Sequence, residues 1–331
     1  MYITIDCGTT NMRARLFDGN EFLCETRRQA GVRNTAFSGS ADFLRSALTD
    51  CILELLNTRA LAPRDIEAVL CAGTLSSDVG IYRVPHGPLP AGIRESAKNA
   101  KLVKLPDITS IPLFFIPGIK VVPDATREDE LSFIYQLESL SGEDIETYGI
   151  MEEMGLHGPF VIALPGSYLK VLHVNEAGQV TFFTTGMCGE FLAAMSEHTL
   201  LKHSLPHPLI DEPDEKYLCL GYDYCERYGA SPSLIKGRMM PFLGGYGARE
   251  TANFYVGAAL HDDVGLIRAA CTADKALYIG GSNPLRHVFS ILCAHAGVCA
   301  AKTVEIPDDA AKFAPNIGAI RVYEAWKKEN A

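Results

Sequence analysis

Short apolar runs that end in glycine-containing corners dominate the hydrophobic pattern at the start of the chain. Residues 2–20 predict a strand, a tight Gly8-Thr9-Thr10-Asn11 turn, a second strand and an Asp-Gly-Asn turn into a third strand. Residues 160–183 repeat this order, with the turn at Pro165-Gly166-Ser167. Because the two stretches start about half a chain length apart, the pattern indicates two similar halves.

Apolar residues at helical spacing alternate with short strands along the rest of the chain. The pattern predicts helices over 42–57, 124–140, 248–260 and 317–327, and a further helix after the Gly280-Gly281 corner. It predicts strands over 66–72, 119–122 and 276–279. Residues 82–92 are rich in Gly and Pro and predict a loop.

Length and composition are those of a folded globular protein. The 331 residues suggest about two domains, and 47% of them are hydrophobic and 21% charged. The formal net charge of −10 excludes the basic footprint typical of nucleic-acid binding. No apolar run approaches the ~20 residues of a membrane helix, and no secretory signal is apparent. We therefore expect a cytoplasmic protein without nucleic-acid or membrane partners, whose ten scattered cysteines stay reduced.

Several common catalytic motifs are missing from the sequence. It has no Gly-x-x-x-x-Gly-Lys-Ser/Thr loop, no Gly-x-Gly-x-x-Gly after a strand, no His-Glu-x-x-His and no Gly-x-Ser-x-Gly. Walker-type ATPases, Rossmann dehydrogenases, zincins and serine esterases are therefore poor matches.

Three glycine corners that follow short apolar strands are the best candidates for chemistry: Gly8-Thr9-Thr10, Pro165-Gly166-Ser167 and Gly280-Gly281-Ser282. A glycine lets a phosphate approach the backbone, where N–H groups and hydroxyls can hold its oxygens. Two such corners could clasp a triphosphate, the third could receive adenosine, and Asp6 could hold Mg²⁺ through water. Taken alone, the first corner also fits an ordinary turn with two threonines facing solvent.

An acidic cluster at the start of the predicted helix 124–140 could supply the carboxylate that a kinase needs to orient or deprotonate its acceptor hydroxyl. The cluster reads Arg127-Glu128-Asp129-Glu130. The same residues also fit a capped, acid-rich first helical turn without a catalytic role.

Nearly the whole chain carries short motifs in a recognisable order: Asp6 to Arg13, Ala30-Gly31-Val32, Gly73 to Gly80, Pro117-Gly118, 127–130, Leu164-Pro165-Gly166 with Lys170, Met187 to Glu190, Gly280 to Ser282, and Ile317-Gly318-Ala319-Ile320. Their order and spacing resemble the 2-dehydro-3-deoxygalactonokinase family, within the acetate and sugar kinase/heat-shock ATPase/actin superfamily. The resemblance implies an α/β fold with two ribonuclease-H-like (actin-like ATPase) lobes around a central nucleotide cleft. It implies a sugar-acid-binding lobe over 1–123, a nucleotide-binding lobe over 124–312, and a terminal helix over 313–331 that returns to the first lobe.

The same resemblance implies ATP- and Mg²⁺-dependent phosphorylation of the terminal hydroxyl of a 2-keto-3-deoxy sugar acid, a step in galactonate catabolism. The expected substrate is 2-dehydro-3-deoxy-D-galactonate. Carried over by position, the implied nucleotide-binding residues are Gly8, Thr9, Thr10, Asn11, Gly166, Ser167, Lys170, Gly280 and Gly281. The other implied roles are a metal anchor at Asp6, a base at Asp129 with Glu130 in reserve and Arg127 beside them, and sugar-acid contacts at Arg33 and Ser77.

Three segments depart from the family pattern. The family's Arg-Gly-Glu-Glu is matched to 127–130, which lacks the glycine. The second turn, Gly-Thr-His-x-Lys-Trp in the family, keeps a hydroxyl at Ser167 and the lysine at Lys170 but has no His or Trp, and Gly-Met-x-Gly-Ser becomes Gly73-Thr74-Leu75-Ser76-Ser77. Which sugar stereochemistry the site accepts therefore stays open. The oligomeric state, with a homodimer as one alternative, also stays open. So do two other functions, an exopolyphosphatase-like phosphohydrolase and a non-catalytic nucleotide sensor.

Overall fold

The computed structural model describes residues 1–123, 126 and 129–331, which form two compact units. Unit 1 comprises Met1–His157, Glu176–Phe182 and Asp309–Ala331. Unit 2 comprises Gly158–Asn175 and Phe183–Asp308.

The strands are short and occur in both units. In chain order they are β1 (Tyr2–Cys7), β2 (Met12–Asp18), β3 (Glu21–Arg28), β4 (Ala68–Gly73), β5 (Gly87–Pro88), β6 (Lys101–Val103), β7 (Leu113–Phe115), β8 (Ile119–Lys120), β9 (Ser139–Leu140), β10 (Phe160–Pro165), β11 (Leu169–Val174), β12 (Val180–Gly186), β13 (Ala276–Ile279) and β14 (Lys302–Glu305).

The helices follow or separate these strands. They are α1 (Val32–Ser38), α2 (Asp42–Thr58), α3 (Ile93–Asn99), α4 (Glu130–Tyr135), α5 (Glu143–Met154), α6 (Cys188–His198), α7 (Glu215–Tyr228), α8 (Ala230–Leu234), α9 (Lys236–Gly244), α10 (Ala248–Ala259), α11 (His261–Ala270), α12 (Leu285–His295) and α13 (Asp308–Asn330). Single 3₁₀ turns cover Pro63–Asp65, Thr74–Ser76 and Leu200–His203. Among the residues described, no helix is both long and apolar enough to cross a membrane.

The two larger sheets share the order of five strands, and the first has β6 as an additional edge strand. The first has the order β3-β2-β1-β4-β7-β6, and the second has the order β12-β11-β10-β13-β14. In each, the first strand of a hairpin pairs antiparallel with the next strand and parallel with a later one, as β1 does with β2 and β4, and β10 with β11 and β13. The predicted repeat of a hairpin unit in two similar halves is therefore confirmed, as is the predicted α/β class.

A three-stranded sheet with the order β5-β8-β9 changes one predicted element. Residues 124–140 do not form one helix: α4 ends at Tyr135, and β9 pairs antiparallel with β8. The backbone of Ser139 and Leu140 is used in that sheet and so cannot continue a helix. Because β9 and the following α5 pack within unit 1, this unit extends to His157 and not to the predicted boundary at residue 123.

Apolar side chains of the sheets and helices form a separate core in each unit. In unit 1, Ile3, Ile5, Leu48 and Cys71 are fully or almost fully buried between the first sheet and α2. In unit 2, the core combines side chains of the second sheet with side chains of α6, α7 and α10 to α12. Burial of this apolar surface is the main favourable contribution to folding in both units.

Paired glycines bring helices into backbone contact in both units. In unit 1, α5 crosses α13 where a Cβ on Gly149 would lie 1.8 Å from the carbonyl oxygen of Ala314, and one on Gly318 would lie 2.0 Å from that of Ile145. In unit 2, α7 and α10 meet in the same way at Gly221 and Gly257. No other residue type fits at such positions without moving a helix.

The long terminal helix α13 is also held to unit 1 by a buried arginine. The Arg15 guanidinium donates from Nη1 to the Lys312 carbonyl and to Asn316 Oδ1, both at 2.6 Å, and from Nε to Glu25 Oε2 at 3.0 Å. Asn316 Nδ2 donates to Thr4 Oγ1 at 2.8 Å. These bonds join β1, β2 and β3 to the start of the helix.

Gly318→Ala should destabilise the protein because the new Cβ would overlap the Ile145 carbonyl of α5. Overpacking of this kind costs about 1–3 kcal/mol, which chemical denaturation would detect as a lower free energy of unfolding. Gly265→Ala in α11 is the matched control, since a Cβ there meets no atom within 4 Å. The control should be neutral or stabilising by up to about 1 kcal/mol through helix propensity. Similar results for both variants would contradict the backbone contact.

Candidate functional site

The first glycine turn of unit 1 is bonded to the start of α1. The Gly8 N–H donates to the Asn11 carbonyl at 3.0 Å, which closes the turn between β1 and β2. The N–H groups of Val32 and Arg33 donate to the carbonyls of Gly8 and Thr9, at 3.3 and 2.9 Å. A Cβ on Gly31 would lie 2.3 Å from the Thr9 oxygen, so a glycine is required where the chain enters α1.

These bonds orient the turn's own donors. In a trans peptide the C=O and the following N–H point in opposite directions. Because the Gly8 and Thr9 carbonyls point at α1, the N–H groups of Thr9 and Thr10 point away from it. Two successive N–H groups that face one side form a concave site for an anion.

The second glycine turn, in unit 2, is built in the same way. The N–H groups of Gly189 and Glu190 at the start of α6 donate to the carbonyls of Gly166 and Ser167, at 3.2 and 2.8 Å. A Cβ on Gly189 would lie 2.5 Å from the Gly166 oxygen. By the same peptide geometry, the N–H groups of Ser167 and Tyr168 are directed away from α6. The motifs at 30–32 and 187–190 thus share a structural role, which is to support the preceding glycine turns.

The predicted adenosine corner lies directly against this second turn. Gly281 has a φ of +75°, and a Cβ there would lie 2.3 Å from the Pro165 carbonyl oxygen. The Gly280 N–H donates to the Ala163 carbonyl at 2.8 Å. Unit 2 therefore brings the predicted residues Gly166, Ser167, Gly280 and Gly281 together at the ends of β10 and β13.

Lys170 is the second residue of β11 and lies opposite Leu164 of β10. It is 8% exposed, and its Nζ donates to Thr185 Oγ1 on β12 at 2.9 Å. Its contact with nucleotide stays a prediction.

An acidic edge lies beside the first turn in unit 1. Asp6 is the second-last residue of β1 and lies opposite Arg13 of β2. Burial raises the pKa of its carboxyl, an effect opposed by Arg13 and Arg15. Burial, together with the nearby Asp6 and Glu143 carboxylates, raises the pKa of Glu146 to about 8. A cation bound at this edge would stabilise the charged form of carboxylates that burial has removed from water.

Backbone contacts between glycines bring the start of α5 to this edge. Gly73 at the end of β4 has a φ of +76°, and a Cβ there would lie 2.5 Å from the Cys7 carbonyl oxygen. A Cβ on Gly142, whose φ is +114°, would lie 3.3 Å from the Gly73 Cα. The ends of β1 and β4 and the start of α5 therefore converge in unit 1.

The two predicted sugar-acid residues also belong to unit 1. Ser77 Oγ donates to the Thr74 carbonyl at 2.7 Å, and Thr74 Oγ1 donates to the Cys7 carbonyl at 2.8 Å, which ties this loop to the end of β1. Arg33 is exposed, lies over the Phe37 ring at 5.7 Å, and lines an open cavity of about 500 Å³ together with Thr10.

The predicted base cluster has a different setting. Asp129 is exposed and caps α4: one carboxylate oxygen accepts from the Leu131 N–H at 3.1 Å, and the other accepts from the Ser132 hydroxyl. These hydrogen bonds lower the pKa of its carboxyl. Glu130 is exposed as the first residue of α4, and Arg127 lies outside the described residues.

The sequence contains a second acidic segment that the predicted base cluster did not include. Gly142-Glu143-Asp144 keeps the Gly-Glu-acid order of the family's Arg-Gly-Glu-Glu, which the segment at 127–130 does not. Asp144 is fully buried, its Oδ1 accepts from the Gly142 N–H at 3.0 Å, and burial raises its pKa to about 7. The retained glycine is the signal that could have identified this segment.

Within the part of the chain that the structure describes, no group of three or more His, Cys, Asp or Glu side chains is arranged to hold a metal ion. The acidic edge with Asp6 and Glu146 therefore offers a pair of carboxylates. This matches Mg²⁺, which usually keeps several waters and takes one or two carboxylates.

Comparison with known proteins places the chain in a family. The 2-keto-3-deoxy-galactonokinase family model matches residues 6–312. The 2-dehydro-3-deoxygalactonokinase of Escherichia coli (strain K12) is 26% identical over 205 residues, covering 62% of this chain and 60% of that protein. The match thus spans three fifths of the length of this relative.

Solved structures show the same fold. A protein from Sinorhizobium meliloti, assigned as a 2-dehydro-3-deoxygalactonokinase, superposes with a TM-score of 0.75 at 17% identity, covering 98% of this chain and 96% of that one. The activator of 2-hydroxyisocaproyl-CoA dehydratase from Clostridium difficile, solved with bound ADPNP, gives a TM-score of 0.52 at 11% identity, covering 99% and 97%. The predicted actin-like ATPase fold class is confirmed. Since the family model matches most of its length, the chain belongs to the 2-keto-3-deoxy-galactonokinase family.

Proposed function

We propose that the protein transfers the γ-phosphoryl group of ATP to the terminal hydroxyl of a 2-keto-3-deoxy sugar acid, with 2-dehydro-3-deoxy-D-galactonate as the first candidate. Family membership and the name of the Escherichia coli relative support this reaction class. The observation that carries the proposal is the pair of turns at Gly8-Thr9 and Gly166-Ser167, each bonded to a helix start so that two N–H groups face outward. Such N–H pairs suit phosphate oxygens.

In this proposal, each unit presents its own candidate phosphate-binding turn. The turn at Gly166-Ser167 binds phosphate, and the adjoining Gly280-Gly281 corner leaves bare backbone for adenosine. The N–H groups of Thr9 and Thr10, the hydroxyls of both residues and the Asn11 side chain bind phosphate oxygens in unit 1. Lys170, on the strand that follows the second turn, adds positive charge to this part of unit 2.

Asp6 and Glu146 fit a divalent cation. Both side chains are carboxylates, the donor type that Mg²⁺ prefers. Both have a raised pKa because burial removes the water that stabilises the charged form, and a bound cation would stabilise that form instead. When bound, Mg²⁺ supplies charge neutralisation on the triphosphate. The two side chains would hold it directly or through water.

Glu143 is the base that we propose for the acceptor hydroxyl. It is half-buried, it is the first residue of α5, and its carboxylate is close enough to Glu146 to raise the pKa of that residue. Asp129, in contrast, engages both carboxylate oxygens in capping α4. Arg33 and Ser77 are proposed contacts for the sugar acid, since an arginine suits its carboxylate and a hydroxyl suits its oxygens.

The reaction is tested by ADP release with Mg-ATP and a panel of 2-keto-3-deoxy sugar acids, with polyphosphate alone as a parallel substrate. The proposal expects ADP release that depends on the sugar acid. Phosphate release from polyphosphate would contradict it in favour of a phosphohydrolase. ATP binding without transfer to any sugar acid would contradict it in favour of a nucleotide sensor.

Gly189→Ala should weaken Mg-ATP binding because the new Cβ displaces the Gly166 carbonyl and turns the adjoining N–H groups out of line. A hydrogen bond to a charged group contributes about 1.5–3 kcal/mol, so isothermal titration calorimetry should show affinity lower by about tenfold or more. Gly265→Ala should bind ATP as the wild type does. Unchanged affinity in a folded Gly189→Ala protein would argue against phosphate binding at this turn.

Glu143→Gln should lower kcat by about 10²–10⁴-fold, the usual contribution of general-base catalysis, because the amide cannot accept the hydroxyl proton. Asp129→Asn should change kcat by less than about threefold, since it alters an exposed cap. Steady-state kinetics on both variants separates the two candidate bases. The reverse pattern would restore Asp129 to the role that the sequence predicts.

A further inference from the structure

One end of the β5-β8-β9 sheet gathers three residues that the proposed function leaves without a role. His86 directly precedes β5, Gly118 directly precedes β8, and Ser141 directly follows β9. Gly87 is paired in parallel with Ile119, and Ile119 is paired antiparallel with Leu140. The three residues next to these strands therefore lie side by side, with Gly118 in the middle.

The glycine in the middle allows the two outer side chains to meet. His86 Nε2 and Ser141 Oγ are 2.8 Å apart and share a hydrogen bond. A Cβ on Gly118 would lie 2.4 Å from Ser141 Oγ and 2.8 Å from His86 Cδ2. A larger residue at Gly118 would therefore displace this bond.

The environment of His86 favours the neutral form of its ring. The imidazole is half-buried, and burial together with the Lys120 ammonium lowers its pKa, while Asp78 acts in the opposite direction. A neutral imidazole can either accept the Ser141 hydroxyl proton or donate to that oxygen.

The bond joins two segments that matter to the proposed reaction. Ser141 immediately precedes Gly142 and Glu143, so it fixes the chain where α5 begins. His86 belongs to the loop that follows β4 and carries Ser77, the proposed sugar-acid contact.

We propose that His86 is a positioning residue that holds Ser141 over Gly118 and thereby sets the first turn of α5, with its Glu143 carboxylate, relative to the loop that carries Ser77. This inference rests on the proposed kinase function. Small displacements of a catalytic group are costly in rate, up to about 10²-fold per ångström. His86 acts on the chemical step without contacting substrate.

The test compares His86→Ala, His86→Gln, Ser141→Ala and the His86→Ala/Ser141→Ala double variant with the wild type. One readout is kcat and KM for the sugar acid, and the other is hydrogen exchange of backbone amides 142–148 without ligand. We expect His86→Ala to lower kcat about tenfold with KM within twofold, and to speed exchange at the start of α5. Gln, whose amide can also hydrogen-bond a hydroxyl, should recover most of kcat. The double variant should be no worse than either single one.

The control is His157→Ala, which removes an exposed histidine of the same unit and should leave both readouts unchanged. A higher KM with kcat unchanged would overturn the positioning role in favour of direct substrate contact. Additive losses in the double variant, failure of Gln to recover kcat, or unchanged exchange at 142–148 would also overturn it. Because the exchange readout needs no turnover, a wild-type protein inactive on every sugar acid would refute the proposed function and still leave this inference decided by exchange.

Discussion

The hydrogen bond from the start of a helix to the carbonyls of a preceding hairpin turn is the interaction on which the candidate site depends. In unit 1 it joins Val32 to Gly8, and in unit 2 it joins Gly189 to Gly166. Each bond satisfies an N–H that a helix start otherwise leaves without an intrahelical partner. It also turns the next peptide N–H outward. A neutral stretch of backbone in an acidic protein thereby becomes able to bind an anion without a concentration of basic side chains.

Local strand and turn chemistry made much of the fold predictable. The hairpins at 2–28 and 160–186 follow from short apolar runs and Gly-hydroxyl or Asp-Gly corners, and their repetition in two sheets follows from their spacing. The helices between Cys188 and Gly244 were missed because that stretch mixes polar, apolar and glycine residues without one clear period. The helix predicted over 124–140 was wrong because a two-residue strand pairing across the sheet overrides local propensity.

Candidate site residues could be predicted from the sequence only where the local motif itself forms the turn that is proposed to bind. Gly8, Gly166 and the corner at Gly280 could be singled out because each follows an apolar strand directly. The need for glycine at Gly31 and Gly189 arises from contacts with turns more than twenty residues away, which no local pattern reveals. The acids of α5 carry a local signal in Gly142-Glu143-Asp144, but their place at the end of β1 depends on the approach of Gly142 to Gly73, which the sequence does not reveal.

Amide chemical shifts measured during a titration with Mg²⁺ and a non-hydrolysable ATP analogue test the central role of the turns most directly. In isotopically labelled protein, the amides of Thr9, Thr10, Ser167 and Tyr168 should shift as nucleotide binds, because each turn directs two N–H groups outward to phosphate oxygens. If either pair keeps its shifts while nucleotide binds elsewhere, that turn does not bind phosphate.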